Sequence, residues 1–163
     1  MRTLTEHLSQ YARYHRDQRN ILTHFAGIPL IVISVFGMLS FPVSGAVTAA
    51  MLLFLFSNLY YFVLDVKFGA LMLLFSGACF ALSQLLVQAF GPQWLWGSVA
   101  VFAAGWVLQF IGHYFEGKKP AFVDDLIGLL IGPLFIVAEW VFLAGFAKTL
   151  QAQIEADAGP VRR

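Results

Sequence analysis

Apolar residues fill this chain in stretches of about 20, separated by short polar breaks. The runs near 24–41, 46–64, 68–90 and 94–112 contain no Asp, Glu, Lys or Arg, and their lengths meet the requirement for membrane helices. Pro29 punctuates the first, which closes at Phe41-Pro42; the second ends at Asp65-Val66-Lys67 and the third at Gly91-Pro92. Trp94, Trp96, Tyr60 and Tyr61 lie near segment ends, where interfacial aromatic belts form. A fifth run, about 122–146, differs: it carries Asp124, Asp125 and Glu139 and contains Gly132-Pro133. Proline removes a helical hydrogen bond and clashes with the preceding turn, so a break is expected there. Ahead of the first run, Leu4, Leu8, Tyr11 and His15 share one helical face. Residues 3–17 therefore read as an amphipathic helix at a lipid surface, with Arg13 and Arg16 off the apolar stripe and Asn20 marking the break before the first span.

The expected fold is all-α: a polytopic bundle of about five hydrophobic segments, the fifth broken at Gly132-Pro133, preceded by an amphipathic helix. One integral membrane domain is expected over 1–163, divided into a cytosolic helix (1–20), the bundle (21–147) and a basic tail (148–163). Gly128 and Gly132 have the spacing that lets helices approach closely. Arg2, Arg13, Arg16 and Arg19, with no adjoining apolar core, are unlike a cleavable signal peptide.

Orientation follows from Lys and Arg. The four N-terminal Arg, Lys67 and the pair Lys118-Lys119 share one side if four segments each cross once, while loops 41–45 and 91–93 carry neither residue. The N-terminus is thus expected in the cytosol. A straight fifth crossing would strand Lys148, Arg162 and Arg163 on the far side and put Glu139 about 25 Å from the end bearing His113. A hairpin hinged at Gly132-Pro133 resolves both conflicts.

That topology gathers three of the four histidines, His15, His24 and His113, at the cytosolic face of a chain that is 60% hydrophobic and 12% charged. Imidazole is the commonest metal ligand. Glu116 stands at i+3 from His113 on the same helical face. Three His with an available carboxylate suit a non-haem Fe(II) site or a zinc site. Glu139, an acid inside an apolar run, is expected to face a cavity or a partner. Asp124 and Asp125 suit a helix N-terminus, and His7 lies at the edge of the amphipathic stripe, where a surface role is expected. Cys79, the single cysteine, excludes a disulfide framework and is expected to pack inertly. The net charge of +1 gives no basis for nucleic-acid binding, and no GxSxG, P-loop, HExxH or CxxC occurs. A zinc-dependent membrane hydrolase and a non-enzymatic scaffold or lipid-binding protein stand as alternatives.

YHRDQRNILTHFAGIPL, GWVLQFIGHYFEGKKPAFVDDL and GPLFIVAEWVFLAGF together resemble the 2-hydroxy fatty acid dioxygenases, small polytopic membrane proteins, over nearly the whole chain. The family pattern covers Tyr14, His15, Asn20, His24 and Pro29, then Gln109, Gly112, His113, Glu116, Pro120, Ala121 and Glu139. The resemblance implies Fe(II) held by His15, His24 and His113, and removal of one carbon from a 2-hydroxy fatty acid with O2. Asn20, Glu116 and Glu139 would serve that chemistry by orienting ligands or completing the coordination. The partners it implies are the 2-hydroxy acid, O2 and membrane lipid. The chain's shortness beside the fungal member suggests a bacterial inner-membrane protein, or an ER protein in a eukaryote.

Overall fold

A computed structural model describes residues 2–120 and 127–162. Asp124, Asp125 and Ala121 fall outside the described residues. The structure is all-helical apart from one two-stranded ribbon. In order come α1 (Leu4–Ala12), α2 (Gln18–Met38), β1 (Pro42–Ser44), β2 (Val47–Thr48), α3 (Ala49–Leu64) and α4 (Val66–Phe90). A 3-10 turn at Gly91–Gln93 leads into α5 (Trp94–Glu116), followed by α6 (Gly128–Leu143) and α7 (Lys148–Ala158). Gln18–Met38 and Val66–Glu116 are long and apolar enough to cross a membrane. The pair α6 and α7, bent by 119°, would make a third span, and α3 is a shorter apolar helix. Large apolar side chains such as Val63, Leu74, Trp96 and Leu143 stand exposed, each above 70%. Such a surface is an inside-out arrangement that lipid, not water, satisfies.

The chain forms two compact units, Met1–Ile28 with Val107–Arg163, and Pro29–Trp106. In the second, α3 and α4 pack along their lengths. Phe36, Ala50 and Cys79 form its buried centre, surrounded by Phe54, Phe75 and Phe80. Cys79 is the buried packing residue its apolar setting predicts. A Cβ on Gly69 would come 2.8 Å from the Phe62 backbone, so only glycine fits that seam. Asn58 and Ser76 satisfy each other across it at 2.9 Å.

The first unit carries every charged residue but Asp65 and Lys67. A capping box opens α1: Thr3 Oγ1 accepts from Glu6 N–H at 3.3 Å, and Glu6 Oε2 accepts from Thr3 N–H at 2.6 Å. The amphipathic helix is shorter than the periodicity predicts. It ends at Ala12, and residues 13–17 leave it through tight bonds such as His15 N–H to Ala12 O, 2.9 Å. His15 therefore sits in a turn, and Asn20 lies inside α2 and does not mark the break before it. Arg16, expected at the lipid surface, is 5% exposed, because the turn points it inward.

The break expected at Gly132-Pro133 is also absent. α6 runs through Pro133, which is the sixth residue of the helix and deprives only Leu129 of a donor. The sharp bend comes later, where Gly145 (φ 85°) and Ala147 (φ 50°) adopt left-handed conformations. After that bend α7 packs on α1. Gly132 allows close packing, as its spacing suggests, but against α1: an added Cβ would lie 2.9 Å from Tyr11 Oη.

Candidate metal centre

His15 comes from the turn after α1, His24 from the second turn of α2 and His113 from the last turn of α5. All three are buried, and one ring nitrogen from each lies within 4.8 Å of the others. No Asp, Glu or Cys among the described residues joins that group. The rings meet edge to face, with centroids 4.6, 4.9 and 5.0 Å apart. Tyr11 stacks on His15 at 4.2 Å with planes 2° apart, and Phe135 closes against both.

Hydrogen bonds decide the tautomers. His15 Nδ1 lies 2.8 Å from Tyr11 O, and His24 Nδ1 lies 2.8 Å from Asn20 O. A carbonyl only accepts, so each Nδ1 must carry the proton and each Nε2 must present a lone pair. Yet the two Nε2 atoms face each other at 3.1 Å. Two lone pairs at that distance cannot bond to one another, and a cation between them could satisfy both. Nitrogens about 2.0–2.1 Å from one metal ion are themselves separated by about 3 Å. His113 Nδ1 is buried with no partner among the described residues. Burial, then the proximity of His24, holds the His15 ring well below its ordinary pKa, partly opposed by its bond to Tyr11 O. The ring stays neutral, as a metal ligand must. The donor set fits a divalent transition metal.

The carboxylates sit around this cluster. Glu116, with its side chain fully buried, accepts at Oε2 from Arg16 N–H (2.9 Å), Asp17 N–H (2.7 Å) and Asn20 Nδ2 (3.2 Å). Its Oε1 accepts from Arg162 Nη2 at 2.7 Å. Glu116 thereby ties the end of α5 to the turn bearing His15. Glu139 meets Arg16 Nη2 at 3.4 Å, both side chains being largely buried. Arg16 Nε donates to Ala12 O and His15 O, each at 2.9 Å, and Nη1 to Gly159 O at 3.0 Å. Glu139 thus reaches the histidine turn through an arginine. His7 is 5% exposed, buried where a surface place was expected, and is not part of the His15–His24–His113 group.

Gly112 makes the approach of α2 to α5 possible. A Cβ there would collide with Thr23 Oγ1 and Asn20 Oδ1 and lie 3.1 Å from His24 Nδ1. Sequence reasoning missed Tyr11 and Phe135 as walls of the cluster, and Arg16 and Arg162 as its anchors. The place of Arg16 beside His15 was the available signal.

Over residues 1–144 the chain matches the family model described as 2-hydroxy-palmitic acid dioxygenase Mpo1-like. It is also 32% identical, over 161 residues, to the 2-hydroxy-palmitic acid dioxygenase MPO1 of Saccharomyces cerevisiae. That alignment covers 94% of this chain and 88% of the yeast protein. No solved structure matches the chain.

Proposed function

The chain belongs to the 2-hydroxy-palmitic acid dioxygenase Mpo1-like family, and from that premise we propose that it is an Fe(II)-dependent dioxygenase of 2-hydroxy fatty acids. The overall reaction converts a 2-hydroxy acid and O2 into the acid one carbon shorter, CO2 and water. The 2-hydroxy acid supplies the electrons, so no further reductant is needed. The observation that carries the metal assignment is the pair of Nε2 lone pairs 3.1 Å apart in a buried cluster.

Fe(II) held by His15, His24 and His113 would supply O2 activation and chelation of the 2-hydroxy carboxylate, since three protein ligands leave positions open. The surrounding residues hold and shield that ion. The carbonyls of Tyr11 and Asn20 keep His15 and His24 in the Nε2-ligand tautomer. Tyr11 and Phe135 exclude water from one side. Glu116 and Asn20 act as positioning residues that clamp the His15 turn to α5, and Glu139 acts through Arg16 in the same sense. The acyl tail would lie among apolar side chains that also face lipid. The Lys and Arg asymmetry supports a cytosolic N-terminus and a site on that face of the membrane.

The test is anaerobic purification in detergent, elemental analysis, then oxygen uptake and product analysis with 2-hydroxypalmitic acid. One iron per chain and an odd-chain acid are expected, with iron lost in His15→Ala, His24→Ala and His113→Ala. Stoichiometric zinc with no oxygen requirement, or turnover surviving the loss of any of the three, would overturn the proposal.

A further inference from the structure

Gln109, Gly112, His113 and Glu116 stand at i, i+3, i+4 and i+7, one face of α5. Gly112 places that face directly against Asn20, Thr23 and His24 of α2. At its outer end the polar atoms are spoken for: Glu116 accepts from four donors. Further in they are not. Gln109 is 4% exposed, and its Nε2 has no hydrogen-bond partner among the described residues. Asn20 is fully buried, and its amide orientation is determined, because Nδ2 donates to Tyr14 O and Glu116 Oε2. Its Oδ1 is therefore the end left open, and it too has no partner.

Buried amides without partners are rare, and each has a cause such as strain, a bound water or ion, or a functional contact. Gln109 lies one helical turn from His113, and the Nε2 end of its amide offers a neutral N–H donor, with no positive charge. Such a donor suits an acceptor-only oxygen delivered to the adjacent centre. A fatty-acid carboxylate has that chemistry, and its charge would be met by the metal.

We propose that Gln109 is a substrate-binding residue whose amide N–H donates to the carboxylate of the 2-hydroxy acid. The assignment rests on the dioxygenase reading above. It makes Gln109 a determinant of headgroup recognition, separate from the residues that hold the ion.

Gln109→Leu removes the donor at similar volume. Without substrate, the variant should load metal like the parent chain and unfold at an equal or higher midpoint, because an unpaired buried donor has gone. Anaerobic affinity for 2-hydroxypalmitate should fall about 10- to 100-fold, the range for a lost hydrogen bond to a charged group. Affinity for 1,2-hexadecanediol, which lacks the carboxylate, should not change. Gln109→Glu should weaken 2-hydroxypalmitate further, by setting like charges together.

A clearly lowered midpoint in substrate-free Gln109→Leu would show a structural role and overturn the proposal. So would unchanged 2-hydroxypalmitate affinity, or equal weakening of acid and diol. If the parent chain itself neither loads metal nor binds the acid, the dioxygenase assignment fails, and this inference with it.

Discussion

Replacing Glu116 by Ala tests how the metal centre is held together. The fully buried carboxylate accepts from two backbone N–H groups, one amide and one guanidinium. Truncation leaves Arg16 N–H and Asp17 N–H without that acceptor, at about 1–3 kcal/mol for each buried donor stranded. Asn20 Nδ2 keeps Tyr14 O, and Arg162, 61% exposed, can return to water, so both add little. The sum expected is about 2–6 kcal/mol. The same loss frees the turn that aims His15, and supporting residues of this kind change metal affinity by about 10- to 100-fold. Co(II) titration in detergent, followed by ligand-field absorbance, reads the affinity; denaturant unfolding of the same samples reads stability. Glu116→Gln should fall between Ala and the parent chain, because one amide oxygen can still accept from the two backbone groups. Parent-like Co(II) affinity together with an unchanged unfolding midpoint in Glu116→Ala would refute the clamp.

Gly112→Ala should destabilise the protein by about 1–3 kcal/mol and lower metal occupancy, because its methyl collides with Thr23 and Asn20; a parent-like metal content by elemental analysis would contradict the packing. Arg16→Ala should cost about 3–5 kcal/mol by leaving Glu139 buried without its cation. Adding Glu139→Leu to it should recover part of that loss in the same unfolding assay. Deleting residues 159–163 removes the backbone bonds Arg162 N–H to Arg16 O (2.6 Å) and Gln18 N–H to Arg162 O (2.9 Å). It should weaken Co(II) binding, whereas Arg162→Ala, which keeps those bonds, should have a smaller effect. His7→Ala should leave metal stoichiometry intact, read by elemental analysis.

Much of this architecture is local in origin and therefore visible in the chain itself. Runs of uncharged apolar residues predict helices because a buried backbone in lipid must satisfy its own hydrogen bonds. The helices α2, α3, α4 and α5 contain most of the segments read from hydropathy. That His15, His24 and His113 come together was legible as well, through their common placement at segment ends. Where local rules competed, the sequence misled. Periodicity carried α1 past Ala12, and Pro133 suggested a break that the helix absorbs, while Gly145 and Ala147 make the turn.

What only tertiary structure decided are contacts between residues some 100 positions apart. Glu116 accepts from Arg16 and Asp17, and Arg16 pairs with Glu139. No spacing rule encodes such pairs, because they depend on where three separate elements converge. The opposed Nε2 atoms are the sharpest case. Sequence could nominate three imidazoles, but the carbonyls of Tyr11 and Asn20 decide which nitrogen holds the proton. With both Nδ1 atoms committed, the lone pairs are left facing each other across 3.1 Å, and that arrangement turns a group of histidines into a candidate metal centre.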